Sequence, residues 1–269
     1  ENIEVQIETV LNEAEEALAH ISNDKINSKV ESTLPLKNKY QKLFIVLSLL
    51  SFALFAFLMG VYIKVNVLYP SGLDVYGHLY KADFLYKQIC SGNIFPLYSP
   101  DWYNGIQPFR YWAPLPYYLL AGLEGLVGGD IMEGYLLFIY ISTFIAACGW
   151  LLFGIKKNHI LLSSIIGILW AILPNIIFIN YCEGNYPRMV INMLIPYLFY
   201  FVWSFVNEHK IRQLLGVIFV TTLITFCHAM MAAMMGVSVG ILLVVYCIIN
   251  KKFLYPAINL IGMILSYAI

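Results

Sequence analysis

Asp74 and His78 stand one helical turn apart in the stretch GLDVYGHLYKADF, so a carboxylate and an imidazole share one face. Lys81 and Asp83 follow on the same segment. The pair suits two kinds of chemistry. Asp74 can take the proton of an acceptor hydroxyl while His78 orients Asp74 or the substrate. Alternatively, Asp74, His78, Glu183 and His228 offer mixed oxygen and nitrogen donors, which fit a divalent Zn or Mn better than Mg. No second motif fixes a metal, and both readings stand. Arg110 and Arg188 carry the forked donors that pair bidentately with phosphate. At a membrane surface such a phosphate belongs most naturally to a lipid carrier. Trp102, Tyr103, Tyr111, Trp112, Tyr117 and Tyr118 read as an interfacial belt or as a platform for a sugar ring, with Trp112 beside the polar group. Each residue also has an ordinary structural use. Asp74 and His78 suit a solvated loop face, and Arg110 an anchor to headgroups. Glu183 and Arg188 suit an ion pair across the turn at Gly184, Asn185 and Pro187, and His228 a snorkelling position.

These residues lie in the polar breaks of an apolar chain. Hydrophobic residues make up 60% and charged residues 12% of 269, with a mean hydropathy of +0.74. A soluble globule carries about a quarter charged residues, so the expected class is an all-α polytopic membrane protein in contact with the lipid bilayer. Net charge is zero, which gives no signal for nucleic acid. The chain opens on Glu1 and stops inside an apolar run at Ile269, which reads as a fragment truncated at its C-terminus. The five cysteines follow no metal spacing. A Cys90–Cys182 disulfide is permitted but not demanded.

Residues 1–34 read as a cytoplasmic amphipathic helix and linker. Within 2–21 the apolar positions alternate steps of four and three, which suits a helix partner. Residues 35–269 form the membrane domain. Leu43 to about Val65 is the first span, preceded by Lys37, Lys39 and Lys42, which places the N-terminus in the cytoplasm. The long loop from Asn66 to Trp112 then lies outside. Ala113–Val127 is short, Pro-led and carries Glu124, so it is read as a helix on the outer surface. Further spans follow at about 131–155, 160–180, 190–206, 213–228 and 230–249, with another beginning near Phe253. This makes about seven spans with a large first extracytoplasmic loop bearing surface helices. Lys156–Lys157, the Glu208–Arg212 segment and Lys251–Lys252 all fall inside. The junction at His228 rests on length alone, because Leu214–Ile249 is too long for one span. Asp74, His78, Lys81, Asp83, Arg110, Glu183, Arg188 and His228 then gather outside. Acidic groups beside spans are costly unless paired or used.

A first span, an outer loop with an early Asp, and the Pro-rich aromatic run FRYWAPLPYYLLAGLEGLVG resemble the GT-C superfamily of membrane glycosyltransferases. The loop GLDVYGHLYKADFLYKQICSGNIFPLYSPDWYNGIQPFRYWAPLPYY looks closer still to the bacterial and archaeal membrane proteins called 6-pyruvoyl-tetrahydropterin synthase-related. The resemblance covers roughly residues 43–269. It implies a GT-C-like bundle in the plasma membrane that moves a sugar from a polyprenyl-phosphate donor to an envelope glycan or lipid acceptor. By that likeness Asp74 is the catalytic base, and His78 matches the His that follows it. Arg110, Glu183, Arg188, His228 and Trp112 would bind substrate. Some GT-C members bind metal through adjacent acidic residues, but here Asp74 is followed by Val75. The alternative is a non-catalytic assembly or transport protein for polysaccharide export. Against transport, no charge falls at mid-span, although Pro174 and Pro196 lie within spans.

Overall fold

The computed structural model describes residues 38–66, 72, 74–102 and 104–267. The expected N-terminal amphipathic helix and linker lie outside them. The chain divides into two compact units, Glu1–Ile45 and Val46–Ile269. Within the first, only the opening turns of the first helix are described. The second holds the helical bundle.

Ten α-helices follow in order among the described residues. They are α1 (Asn38–Asn66), α2 (Val75–Cys90), α3 (Leu115–Leu126), α4 (Ile131–Lys157), α5 (Ile160–Ala171), α6 (Pro174–Ile177), α7 (Tyr186–Glu208), α8 (Ile211–Cys227), α9 (Ala229–Asn250) and α10 (Leu254–Tyr267). A π-helical turn, Phe178–Glu183, continues α6. The only extended pairing described is an isolated bridge between Ser99 and Ile106.

Of the about seven spans expected, length and composition support four or five among the described residues. Four helices are long and apolar enough to cross a membrane, namely α1 from Tyr40, α4, α7 and α9, and α5 with α6 and the π turn makes a fifth if that bent pair is one span. Helix α8 has 17 residues, about 26 Å at 1.5 Å per residue, against a hydrocarbon core of about 30 Å. The described part of α10 is shorter, at 14 residues. Helix α3 has 12 residues and is too short to span. Its Glu124 is fully buried against α4, where Gly134 admits the backbone of Glu124.

The bend in the fifth segment has a local cause. Pro174 pushes the preceding Leu173 into an extended conformation, ψ 136°, because its ring clashes with a helical neighbour. The two halves therefore meet at 44°. The π turn ends at Gly184, whose φ of +67° suits a residue without Cβ. Asn185 then starts α7, its Oδ1 accepting from the Arg188 amide at 3.4 Å, with Pro187 in the first turn.

Two contacts fix the sense of packing. The Lys156 ammonium meets the Glu208 carboxylate, so α4 and α7 end together. The Tyr246 hydroxyl donates to the Val206 carbonyl at 3.1 Å, which brings the end of α9 to the same place. The basic segments after α4, α7 and α9 therefore share one end of the bundle. At the opposite end Lys64 of α1 donates to Glu133 of α4 at 2.6 Å.

Helices α4 and α7 approach closely because Gly149 has no side chain. A Cβ there would stand 2.7 Å from Pro196 Cβ and 2.9 Å from the Tyr197 ring. The Gly149→Leu variant is expected to lose about 1–3 kcal/mol through overpacking, read as a lowered thermal midpoint in detergent. An unchanged midpoint would show that the α4–α7 contact is loose.

Candidate functional site

Four separate pieces of chain build one polar cluster at the end of the bundle opposite the basic segments. Asp74 begins α2 and remains exposed. Gly72, just before it, lies against the π turn, where a Cβ would come within 2.6 Å of the Cys182 and Glu183 carbonyl oxygens. That approach sets Asp74 beside Asn185. The Asn185 amide, itself buried, donates to Asp74 Oδ2 at 3.1 Å and to Glu183 Oε1 at 3.4 Å. Arg188 Nη1 in turn donates to both oxygens of Glu183, at 3.0 and 2.8 Å. Carboxylate, amide, carboxylate and guanidinium thus form one chain across α2, the π turn and α7.

His78 lies one turn below Asp74, 2% exposed. Its Nδ1 is 2.9 Å from the Tyr117 hydroxyl of α3, and its ring stands edge-on to Trp112 at 5.6 Å. Burial, then the charges of Lys81 and His228, push its pKa down to about 3. The imidazole is therefore neutral at physiological pH and acts as a hydrogen-bonding group. Burial and then the Asp74 charge push the Tyr117 phenol upward, which keeps the hydroxyl protonated.

Lys81 completes the face that Asp74 and His78 begin. It is 5% exposed, and its Nζ lies 4.3 Å from the Trp112 ring, 5.3 Å from Trp102 and 5.6 Å from Tyr117. Such rings attract a cation through their negative faces. Trp102 reaches α2 because Gly77 leaves room, a Cβ there meeting the indole at 2.9 Å. Burial pulls the Lys81 pKa down to about 8, and the Asp74 charge opposes that fall. The amine opens on a cleft of about 480 Å³ that Trp102, Tyr111 and Trp112 help to line. The loop that carries these aromatics is pinned by paired backbone bonds between Ser99 and Ile106 at 2.8 and 2.9 Å. The Tyr118 hydroxyl, which donates to the Ile94 carbonyl at 2.5 Å, holds it further.

His228 sits at the α8–α9 junction and caps α9, its Nδ1 accepting from the Met231 amide at 3.4 Å. Burial, then the charge of Arg188, lower its pKa. Trp112 and His228 together line a second cleft of about 290 Å³, so Trp112 stands between the two.

Arg110 goes elsewhere. Its Nη1 donates to Gln107 Oε1 at 2.9 Å, its guanidinium lies 5.4 Å from the Tyr111 ring, and it lines a separate cleft with Phe95 and Phe109. The expected phosphate clamp of Arg110 with Arg188 is thus not assembled. Nor do Asp74, His78, Glu183 and His228 make a ligand set, since no three metal-donor side chains converge among the described residues. Both Glu183 oxygens serve Arg188 and one His78 nitrogen serves Tyr117. Cys90 and Cys182 are both free and exposed.

The sequence places Lys81 in the outer-face set without a chemical role, reads Tyr117 as a belt or platform residue, and reads Asn185 only as part of a turn. Lys81 was within reach, because Asp74, His78 and Lys81 follow i, i+4, i+7, a single helical stripe. The other two depend on contacts between distant segments.

Apolar spans carrying a folded polar loop at one end define a polytopic helical membrane protein. Residues 109–269 match the family described as 6-pyruvoyl-tetrahydropterin synthase related domain; membrane protein. The chain belongs to that family. The match includes Trp112, Glu183, Arg188 and His228 and begins after α2. No curated protein and no solved structure matches the chain.

Lys81 is expected to titrate near 8 instead of near 10.5. Asp74→Asn should lower the value further, because it removes the carboxylate that favours the ammonium. NMR titration of reductively methylated protein, with Lys81→Arg to assign the signal, measures both. A Lys81 midpoint near 10 would show that the amine is solvated.

Proposed function

We propose that this protein is a GT-C-like glycosyltransferase that moves a sugar from a polyprenyl-phosphate donor to an envelope glycan or lipid acceptor. The basic segments share one end of the bundle, and the positive-inside tendency makes that end cytoplasmic. The polar cluster then faces the extracytoplasmic side of the plasma membrane. The observation that carries the reading is Asp74, an exposed carboxylate fixed through one oxygen by Asn185, with the Lys81 amine on the same helix face and the aromatic cleft beside it.

In this reaction the acceptor hydroxyl gives its proton to Asp74 as its oxygen bonds to the anomeric carbon. The bond from that carbon to the donor phosphate breaks, and the electron pair leaves with the lipid phosphate. Lys81 and Arg188 offset the charge that develops there. His78, neutral and bonded to Tyr117, holds the face of α2 that positions Asp74. Trp102, Tyr111 and Trp112 supply flat apolar surfaces for the sugar.

Asp74→Asn is expected to lower transfer about 10²–10⁴-fold while the protein remains folded. The assay follows a radiolabelled sugar from polyprenyl-phosphate sugar into glycan in membrane vesicles. Lys81→Met should mainly lower kcat, because it removes a cation that meets charge developing on the leaving phosphate. Full activity in the Asp74→Asn protein would remove Asp74 as the base.

A second reading draws on the broken helix. Segments bent at a proline and followed by a π turn also occur in transport proteins, where interrupted helices contact the cargo. Uptake of a lipid-linked or free glycan by sealed vesicles, unaffected by Asp74→Asn, would favour transport over transfer.

A further inference from the structure

At the basic end of the bundle, α4, α7 and α9 leave an apolar groove of about 440 Å³. Its floor is α7, through Val202 and Val206, with Leu243 of α9, all three buried. Phe153 of α4, Trp203 of α7 and Val245 of α9 also line it. On α9 the lining recurs at 242, 245/246 and 249, a helical stripe about 12 Å long at 1.5 Å per residue. The size falls within the range of small-molecule sites, about 300–1,000 Å³.

Two of the polar groups along this groove are already used. The Tyr246 hydroxyl donates to Val206 at 3.1 Å, and the Asn250 amide donates to Tyr246 at 3.0 Å. The buried indole N–H of Trp150 has no hydrogen-bond partner among the described residues, and the rest of the lining is apolar, so an occupant needs mainly hydrocarbon. The end of the groove is cationic. Lys157 Nζ lies 4.6 Å from the Trp203 ring, and Lys251 follows Asn250 directly. Among the described residues the carboxylate at this end, Glu208, is bonded by Lys156, Lys210 and Gln213. It leaves Lys157 and Lys251 without an acid of their own among the described residues.

We propose that this groove binds one acyl chain of an anionic phospholipid, with the phosphate held against Lys157 and Lys251. The apolar length lies along the chain, and Trp203 marks the boundary where hydrocarbon gives way to headgroup. The charge pattern selects a lipid over a second copy of the protein. A two-fold pairing of parallel helices through this groove would set the same lysines against one another. An anionic headgroup near such lysines is attracted, by about tenfold or more over a zwitterionic one for two residues. The site lies at the opposite end of the helices from Asp74 and does not depend on the reaction proposed there.

The test uses the whole chain in detergent micelles and native mass spectrometry with phosphatidylglycerol or phosphatidylcholine of identical chains. Phosphatidylglycerol should bind about tenfold more tightly than phosphatidylcholine. The Lys157→Gln, Lys251→Gln double variant should remove that preference and keep the weaker, chain-dependent binding. Val245→Trp fills the groove from its exposed rim and should weaken both lipids at least tenfold, with an unchanged thermal midpoint in lipid-free detergent. Equal binding of the two lipids by the unaltered protein would overturn the proposal. So would undiminished lipid binding by Val245→Trp, or a dimer that this variant dissociates.

Discussion

One side chain amide joins what the membrane topology would otherwise leave separate. Asn185 bonds Asp74 of the first loop and Glu183 of the π turn through its nitrogen, while its oxygen caps α7. A buried amide has few donors and acceptors, and here each is spent on a different segment. Without it, two carboxylates would face each other with no donor between them. The Glu183–Arg188 pair would also lose its link to α2. Polar groups in a partly buried setting are costly when unmatched, so the positions of α2, the π turn and α7 are coupled through this residue. The exposed oxygen of Asp74 is the part of that network left facing outward.

The segregation of charge along the bundle has the same origin. Hydrocarbon leaves the middle of each span with nothing to pair a charge, so ionisable residues collect at helix ends. At one end they are mostly lysines and arginines. At the other, carboxylates, imidazoles and an arginine interlock with an aromatic loop. Lys81 shows how far the loop departs from a simple connector. It is enclosed by Trp102, Trp112 and Tyr117, in a place that Gly77 opens by lacking a side chain. A lysine in such surroundings is poised between ammonium and amine, and Asp74 on the same helix face shifts the balance toward ammonium.

The apolar runs and their basic flanks made the helical class and the order of elements legible, because hydropathy reports burial in lipid residue by residue. The helical stripe of Asp74, His78 and Lys81 was also legible, since it depends only on the 3.6-residue period. The number of crossings was not. Length decides it, and α8, read from the sequence as a span at about 213–228, has only 17 residues. Proline 174 was visible, but its 44° bend and the π turn after it depend on how the freed backbone is satisfied by its surroundings.

By itself, then, the sequence determined a helical membrane protein with polar chemistry confined to the loops, because local period and local apolarity are properties of neighbouring residues. Tertiary structure decided which of those loops meet. It sent Arg110 to Gln107 and Tyr111, and gave Arg188 to Glu183. It enclosed His78 against Tyr117 and brought Asn185 across 111 residues to Asp74. Those choices depend on close approaches at Gly72, Gly77 and Gly149 and on hydrogen bonds between distant segments, and neither is encoded in the spacing of residues along the chain.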